Sequence, residues 1–385
     1  MDPKEKVKNK NYFKYFIEII LGEWFRLFSF FSKKRQALNL KTGDKLLIVL
    51  MQGMGDGLMM VPFLKNLKLA GIKTTLVTVN NKLDELLKDE ELVEEFIVFN
   101  KKITKLKFLK NIRAKKFKYS YLGVPSGTLS SFLFFLINTK YRLAHKKNLG
   151  LNKSNYFGAN ILLDFPENLH NTDRNLKTLE KLGVAQNEVD IKVNINNGLD
   201  SNDQYLKILQ QKKDQGYKIL GIHPGCDAAN PYRRWPEIYF SQLSKGLEAK
   251  KIFSFYPIGP GEENIYDYLK TNNPESLVVK GVTIKPTANL IKECDIFLST
   301  DSGLGHLAVS QDVPTLAIFG PADYSLTSPY PKHYIQTGED CSPCFRMELN
   351  FKYNCPYDRK CIKKITPEMV ESKLLEILKN ERKNN

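Results

Sequence analysis

The stretch "KLLIVLMQGMGDGLMMVP", Lys45–Pro62, decides the fold. It begins with a continuous apolar run, which is typical of a strand buried on both faces of a parallel sheet. Three glycines then surround a single acid, Asp56, before an apolar segment typical of a helix. Ligands of α/β sheets bind at such strand ends. We therefore predict that Asp56 is a base at the floor of a cleft, unless it only caps the helix.

Strand and helix patterns alternate from Lys45 onward, with a polar interruption near Asn194–Asp203. This alternation predicts parallel sheets covered by helices. The interruption predicts two Rossmann-like domains facing a central cleft, residues 41–200 and 201–385. The predicted strands are "KLLIVLM", "TTLVTV", "EFIVFN", "KYSYLGV" and "YRLA" in the first domain, and "YKILGIH", "KIFSFYPI", "SLVVK", "DIFLST" and "PTLAIF" in the second.

The composition is that of a globular and strongly basic protein. The chain has 385 residues, of which 42% are hydrophobic, and a net charge of +16. A disordered chain would be less apolar. The charge indicates an anionic partner: nucleic acid, an acidic membrane or a phosphorylated substrate. Because no nucleic-acid-binding module is recognisable, we expect no nucleic acid as partner and keep a basic nucleic-acid-binding protein as the weaker alternative.

Residues 1–40 form a basic and aromatic arm that precedes the first domain. In "NYFKYFIEIILGEWFRLFSFFSKK", Lys14, Glu18, Arg26 and Lys33 recur near helical spacing, which predicts a helix with a wide apolar face. These charges argue against a transmembrane span. No secretory signal is visible. The arm suits a membrane surface, and docking on the rest of the protein is the alternative.

Three loops at predicted strand ends of the second domain carry groups that suit a phosphorylated ligand. In "STDSGLGHLAV", a turn that includes Asp301, Ser302 and Gly303 precedes a helix expected to begin at His306. The exposed N–H groups of a helix start bind anions. The alternative is a plain strand–turn–helix in which Asp301 is a cap.

The other two loops are "HPGCDAANPYRRWP" and "PIGPGEEN". In the first, Arg233 and Arg234 suit phosphate oxygens, unless they are an ordinary solvated pair. In the second, the carboxylate of Glu262 or Glu263 can accept hydrogen bonds from sugar hydroxyls, unless both acids only complement a helix N-terminus. Together the three loops predict a nucleotide-sugar pocket.

These stretches, together with "GMGDGLMMVPFLKNL" and "VPTLAIFGPADYSLTSPY", make the chain resemble the family 9 glycosyltransferases, typified by bacterial lipopolysaccharide heptosyltransferases. The resemblance implies a GT-B fold and an inverting transfer of a sugar. The sugar is most often heptose from ADP-heptose, the acceptor is a lipopolysaccharide core, and the chemical step needs no cofactor. Another nucleotide sugar or a protein acceptor is the alternative. With the arm, the resemblance predicts a cytoplasmic enzyme, peripheral on the inner membrane of a Gram-negative-type bacterium.

The resemblance also implies roles for particular residues. Asp56 corresponds to the base, Arg233 to a donor-phosphate ligand that is often Lys in the family, and Glu262 or Glu263 to the carboxylate that holds the ribose. The expected donor site comprises Gly225, Arg233, Arg234, Glu262, Glu263, Asp301, Ser302, Gly303 and His306. The expected acceptor side comprises Gly55, Gly57 and Ser126, and the basic stretch Lys101–Lys118 faces either an anionic lipid or solvent.

Four of the six cysteines crowd into one short segment: Cys341, Cys344, Cys355 and Cys361. Four thiolates at this spacing can close a tetrahedral structural metal site. Zinc is the default ion and iron is possible, because thiolates hold both. The alternative is four reduced thiols in a packed loop.

Overall fold

A computed structural model describes residues 38–79, 81–99, 105–123, 128–137, 139–145, 159–164, 168–187, 189–195, 204–226, 231–330, 333–344 and 355–384. The chain divides between Asp190 and Ile191 into two compact units. The expected domain boundary at residue 200 lies outside the described residues. So do the helix expected in the arm, at residues 11–34, and Ser126.

The first unit is built on six parallel strands in the order β3-β2-β1-β4-β5-β6. The strands are β1 Lys45–Leu50, β2 Lys73–Thr78, β3 Glu95–Val98, β4 Tyr119–Leu122, β5 Tyr141–His145 and β6 Ile161–Leu163. The helices are α1 Met54–Leu58, α2 Val61–Leu69, α3 Asn81–Leu87, α4 Lys105–Ala114, α5 Thr128–Ile137 and α6 Asn171–Leu182. Every residue of β1 after Lys45 is buried, as its apolar run predicts.

The second unit repeats this plan, with six parallel strands in the order β12-β11-β10-β7-β8-β9. The strands are β7 Lys218–His223, β8 Ile252–Ile258, β9 Leu277–Lys280, β10 Ile296–Thr300, β11 Thr315–Ile318 and β12 Tyr334–Ile335. The helices are α7 Gln204–Asp214, α8 Glu237–Glu248, α9 Glu263–Asn272, α10 Ile284–Lys292, α11 Gly303–Ser310, α12 Tyr324–Thr327, α13 Lys360–Lys363 and α14 Pro367–Asn384.

Each unit has its own apolar core between sheet and helices. In the first, Leu47 and Val49 of β1 pack with Phe108 and Ile112 of α4. In the second, the core joins the sheet, α8 and α14 around Trp235, whose indole Nε1 donates to the Ile365 carbonyl at 2.7 Å. The apolar residues of the predicted strands therefore form the sheet side of each core.

The strand order of each sheet places the loops that matter. It reverses between β1 and β4 in the first sheet, and between β7 and β10 in the second. At such a switch point the loops after two neighbouring strands diverge and leave a crevice at the carboxyl ends of the strands. Asp56 follows β1, whereas His223 and Asp301 lie at the ends of β7 and β10.

The chain enters the first unit at the opposite, amino edge of its sheet. Leu38 and Leu40 are buried, and their N–H groups donate to the carbonyls of Lys181 and Leu182 at 3.1 and 2.9 Å. The last residues of the segment expected to form the arm thus belong to the first unit. Among the helices that the structure describes, none combines the length and the apolar character that crossing a bilayer requires.

Candidate active site

The loop after β1 places Asp56 in the first turn of α1. Gly53 is the N-cap residue, and its N–H donates to Asp56 Oδ2 at 3.1 Å. The Asp56 side chain is half-buried. Gly57 has no room for a side chain, since a Cβ there would lie 2.3 Å from Leu83 Cδ2. Asp56 therefore does cap the helix, from the third helical position rather than from the N-cap position.

In the second unit, His223 connects the loops that follow two other strands. It is the last residue of β7, which lies between β8 and β10. Its Nδ1 lies 2.8 Å from Ser302 Oγ, beyond β10, and its Nε2 lies 3.4 Å from Glu262 Oε2, beyond β8. His223 and Glu262 are 6% and 5% exposed. The two outer loops are thus linked by one buried imidazole.

Glu262 and Glu263, which the sequence could not separate, lie in different environments. Glu263 is exposed, whereas Glu262 is buried and its Oε2 accepts from the Gly259 N–H at 2.8 Å. Burial raises the pKa of Glu262, but the hydrogen bond and charge of His223, the Gly259 N–H and the charge of Arg234 outweigh it, so this pKa lies below its usual value. Glu262 is therefore the ionised, positioned carboxylate.

Gly225 lies directly against Glu262. A Cβ at Gly225 would lie 1.6 Å from Glu262 Oε1, so no residue with a side chain fits there without moving the carboxylate. The Thr300 hydroxyl donates to the Gly225 carbonyl, which ties this loop to the end of β10. The structure thus brings the expected site residues Gly225 and Glu262 together.

Arg233 and Asp301, both expected in the donor site, form an ion pair. Arg233 Nη1 lies 2.6 Å from Asp301 Oδ2, and their side chains are only 9% and 14% exposed. Arg234 Nε is buried and has no hydrogen-bond partner among the residues described. Because the Arg233 side chain and Arg234 Nε are buried, the two arginines are not an ordinary solvated pair. Burying a guanidinium is costly unless it is paired.

The helix after β10 begins at Gly303, so the expectation of a start at His306 is wrong. Ser302 is the N-cap residue, but its hydroxyl contacts His223 and does not bond the backbone of the helix. The first N–H groups of a helix have no partner within the helix. His306 is buried one turn further on, 8% exposed.

The four clustered cysteines are all free thiols. Burial and the neighbouring thiols of Cys344, Cys341 and Cys355 raise the pKa of Cys361 to about 11. The Arg359 N–H donates to Cys355 Sγ at 3.3 Å. Across the described parts of the chain, which include all four cysteines, no three or more Cys, His, Asp or Glu residues are placed to hold a metal ion. The arrangement therefore does not support the expected zinc or iron site.

Sequence reasoning missed His223. Its signal was its place in "GIHPG", at the carboxyl end of a predicted strand, where ligand-binding residues of α/β sheets concentrate. The contacts of a buried imidazole depend on the strand order, which one sequence does not reveal.

A doubly wound sheet with basic and hydroxyl groups at its switch point suits a phosphorylated ligand such as a nucleotide. The chain belongs to glycosyltransferase family 9: the model of this family, described as heptosyltransferase, matches residues 106–354, more than half of the chain. The protein is thus an enzyme that transfers a glycosyl group from a nucleotide sugar.

Two similar relatives are lipooligosaccharide heptosyltransferases 2 of Campylobacter jejuni subsp. jejuni. The enzyme of serotype O:6 is 26% identical over 85% of this chain and 96% of its own length. The enzyme of serotype O:2 is 31% identical over 43% of this chain, and this match spans about half, 52%, of its length. Among solved structures, the ADP-heptose LPS heptosyltransferase II of E. coli has a TM-score of 0.65 at 16% identity, covering 88% of this chain and 99% of that one. This likeness confirms the GT-B fold.

Proposed function

We propose that the protein transfers a heptose from ADP-heptose to a lipopolysaccharide core acceptor, with inversion at the anomeric carbon. The observation that carries the proposal is the linked polar site of the second unit, in which Glu262, His223 and Ser302 form one chain of contacts and Arg233 pairs with Asp301. The heptosyltransferase relatives support the choice of sugar and acceptor.

Glu262 is assigned to the ribose of the donor. Its contacts with Gly259 and His223 both use Oε2, while Oε1 lies beside the Gly225 backbone. An ionised carboxylate accepts hydrogen bonds from hydroxyls about twice as strongly as a neutral group does. Oε1 is the oxygen proposed to accept from the sugar hydroxyls. Glu263, exposed and one residue further on, is left out of this role.

The diphosphate is assigned to Arg233, Arg234 and the first turn of α11. Asp301 accepts from Arg233 Nη1, and this ion pair orients the guanidinium. As the glycosidic bond to phosphate breaks, charge develops on the leaving diphosphate. Fixed cationic and N–H donors stabilise such charge without a bound metal ion.

Asp56 is assigned the role of the base. An acceptor hydroxyl is a weak nucleophile and must lose its proton as it attacks. A single displacement inverts the anomeric centre and needs a single base. Capping of α1 engages Oδ2 of Asp56 and fixes the orientation of the carboxylate.

Membrane attachment is also proposed, on the cytoplasmic face of the inner membrane. Four lysines form a row at the amino ends of neighbouring strands, and we call them the lysine row. Lys45 is paired with Lys73. Lys118 and Lys140 each come one residue before the paired positions Tyr119 and Tyr141, so they continue the row. All four lysines are exposed, at the edge where Leu38 and Leu40 bond to the first unit. Lys73 is ion-paired with Glu94 at 3.1 Å, whereas Lys45, Lys118 and Lys140 are like charges at neighbouring strand ends that repel one another and suit anionic headgroups. The arm and the lysine row therefore support one docking edge.

A panel of nucleotide sugars tests the donor. A ligand that binds the folded state raises the apparent stability by mass action. We expect ADP-heptose to raise the midpoint of thermal unfolding more than UDP-, GDP- or CMP-linked sugars, and ADP alone to raise it less. A larger shift with another nucleotide class would contradict ADP-heptose as donor and leave the family assignment standing.

A further inference from the structure

The position of His223 in the second sheet lets it contact the loops after two other strands. The strand order is β10-β7-β8, so the loops after β8 and β10 belong to strands that are not neighbours. His223 ends the strand between them, and its two ring nitrogens point to opposite sides: Nδ1 lies 2.8 Å from Ser302 Oγ, and Nε2 lies 3.4 Å from Glu262 Oε2.

The chemistry of the two partners sets the roles of the ring nitrogens. A carboxylate can only accept hydrogen bonds, so the 3.4 Å contact between Nε2 and Glu262 Oε2 is favourable when Nε2 carries a proton. In the neutral ring, Nδ1 then accepts from the Ser302 hydroxyl, and in the imidazolium it donates to it. His223 and Glu262 are 6% and 5% exposed, and polar contacts away from water are strong and mutually reinforcing.

We propose that His223 is a positioning residue that couples the nucleoside half of the donor site to its phosphate half. This inference rests on the proposed donor site, where Glu262 holds the ribose and the loop of Ser302 cradles the diphosphate. A displacement of the carboxylate is transmitted through the imidazole to Ser302, and the reverse. The Thr300–Gly225 hydrogen bond and the packing of Gly225 on Glu262 connect the loops after the same three strands. They limit movements of these loops relative to one another that would bypass His223.

The coupling is measurable as non-additivity in ADP affinity. Calorimetric titration with ADP is done on four proteins: the unchanged enzyme, Glu262→Gln, Ser302→Ala and the double variant. Residues that share a partner interact, whereas distant residues without one act independently. We expect the double variant to lose less affinity than the product of the two single losses, by about threefold or more.

The same cycle is repeated in a His223→Phe background, which keeps an aromatic ring of similar shape without nitrogens. We expect the two losses to multiply there to within about twofold. His223→Gln keeps a hydrogen-bond donor directed toward Glu262, so we expect it to retain more of the ADP affinity of the unchanged enzyme than His223→Phe does. His333→Phe is the matched control, a histidine of the same unit outside the site, and is expected to leave both affinity and coupling unchanged.

Two outcomes overturn the inference: no coupling in the unchanged enzyme, or coupling that persists in the His223→Phe background. A purely structural role would lower the unfolding midpoint of His223→Phe without abolishing the coupling. If His223→Phe does not fold, His223→Gln and His223→Asn replace it, since each keeps one of the two contacts and each is expected to reduce the coupling. Failure of the unchanged enzyme to bind ADP at all contradicts the proposed donor instead, so the two failures are distinguishable.

Discussion

Glu262 and Glu263 show how much position decides the chemistry of a residue type. One is buried, held by a histidine and a backbone N–H and ionised, and the other is exposed. In the sequence they are two equal acids after a glycine turn, and either satisfied the pattern of a ribose-binding carboxylate. The identity of the loop was predictable, but the choice between its two acids depends on which side chain turns toward β7.

Glu262→Gln is expected to weaken ADP binding by about tenfold or more, because hydrogen bonds to a charged group contribute roughly 1.5–3 kcal/mol each. Glu263→Gln is the matched control and is expected to leave the dissociation constant within about twofold. Calorimetric titration measures both. Equal losses in the two variants would remove Glu262 from its assigned role.

The ion pair of Arg233 and Asp301 was also beyond the reach of the sequence. Both residues were expected in the donor site, each as a separate ligand. Residues 233 and 301 lie on loops after different strands, and only the parallel pairing of β7 with β10 brings them to within 2.6 Å. Asp301 therefore binds Arg233 and orients its guanidinium in the proposed site.

At the scale of elements, the apolar runs located ten strands, and the structure confirms each of them. β6 and β12 were missed. They are three and two residues long, and each forms one edge of its sheet. Segments this short contain no apolar run or alternation that separates them from a loop, whereas the four-residue edge strands β3 and β9 do.

The amino edge of the first sheet is expected to bind anionic vesicles together with the arm. In flotation with vesicles containing phosphatidylglycerol, the full chain should float, and a chain beginning at Leu38 should float much less. It begins there because Leu38 and Leu40 are buried in the first unit. Replacing Lys45, Lys118 and Lys140 by Gln should also reduce flotation, and salt should weaken the binding because it screens exposed charges.

The control for the lysine row replaces three exposed lysines of the second unit, Lys207, Lys245 and Lys292, by Gln. It carries the same loss of charge and should float like the full chain. Equal flotation of the full chain, the shortened chain and the lysine-row variant would rule out this edge as the docking surface.

The spacing of the four cysteines predicts a structural metal, whereas the described arrangement favours the alternative of four reduced thiols, and metal analysis decides between the two. The prediction is about one zinc or iron ion per chain in protein prepared without chelators. Metal removal is then expected to lower the thermal midpoint before it affects turnover, because the binding free energy of a structural site contributes to folding. Elemental analysis that finds neither metal would leave four reduced thiols as the description of this segment.

At the scale of the whole molecule, the chain repeats one doubly wound plan twice and uses each copy differently. The switch point of the first sheet carries a carboxylate in the first turn of α1, and that of the second carries an arginine–aspartate ion pair, a histidine and a serine hydroxyl. A +16 net charge fits a protein whose proposed donor, acceptor and membrane are all anionic. The two α/β units were predictable from the alternation of strand and helix patterns. The contacts of His223 with the loops after β8 and β10 were not, because they depend on the strand order.

The most direct test of the account is the rate of heptosyl transfer by Asp56→Asn. The amide oxygen of the substituted side chain can still accept the hydrogen bond of the Gly53 N–H, so the cap of α1 is kept while the base is lost. We expect turnover to fall by about 10²–10⁴, the usual contribution of a general base, with the affinity for ADP unchanged. Asp56→Ala, which also loses the Gly53 hydrogen bond, should show the same fall together with about 0.5–1.5 kcal/mol of lost stability. Near wild-type turnover in Asp56→Asn would contradict the account and leave Asp56 as a helix cap alone.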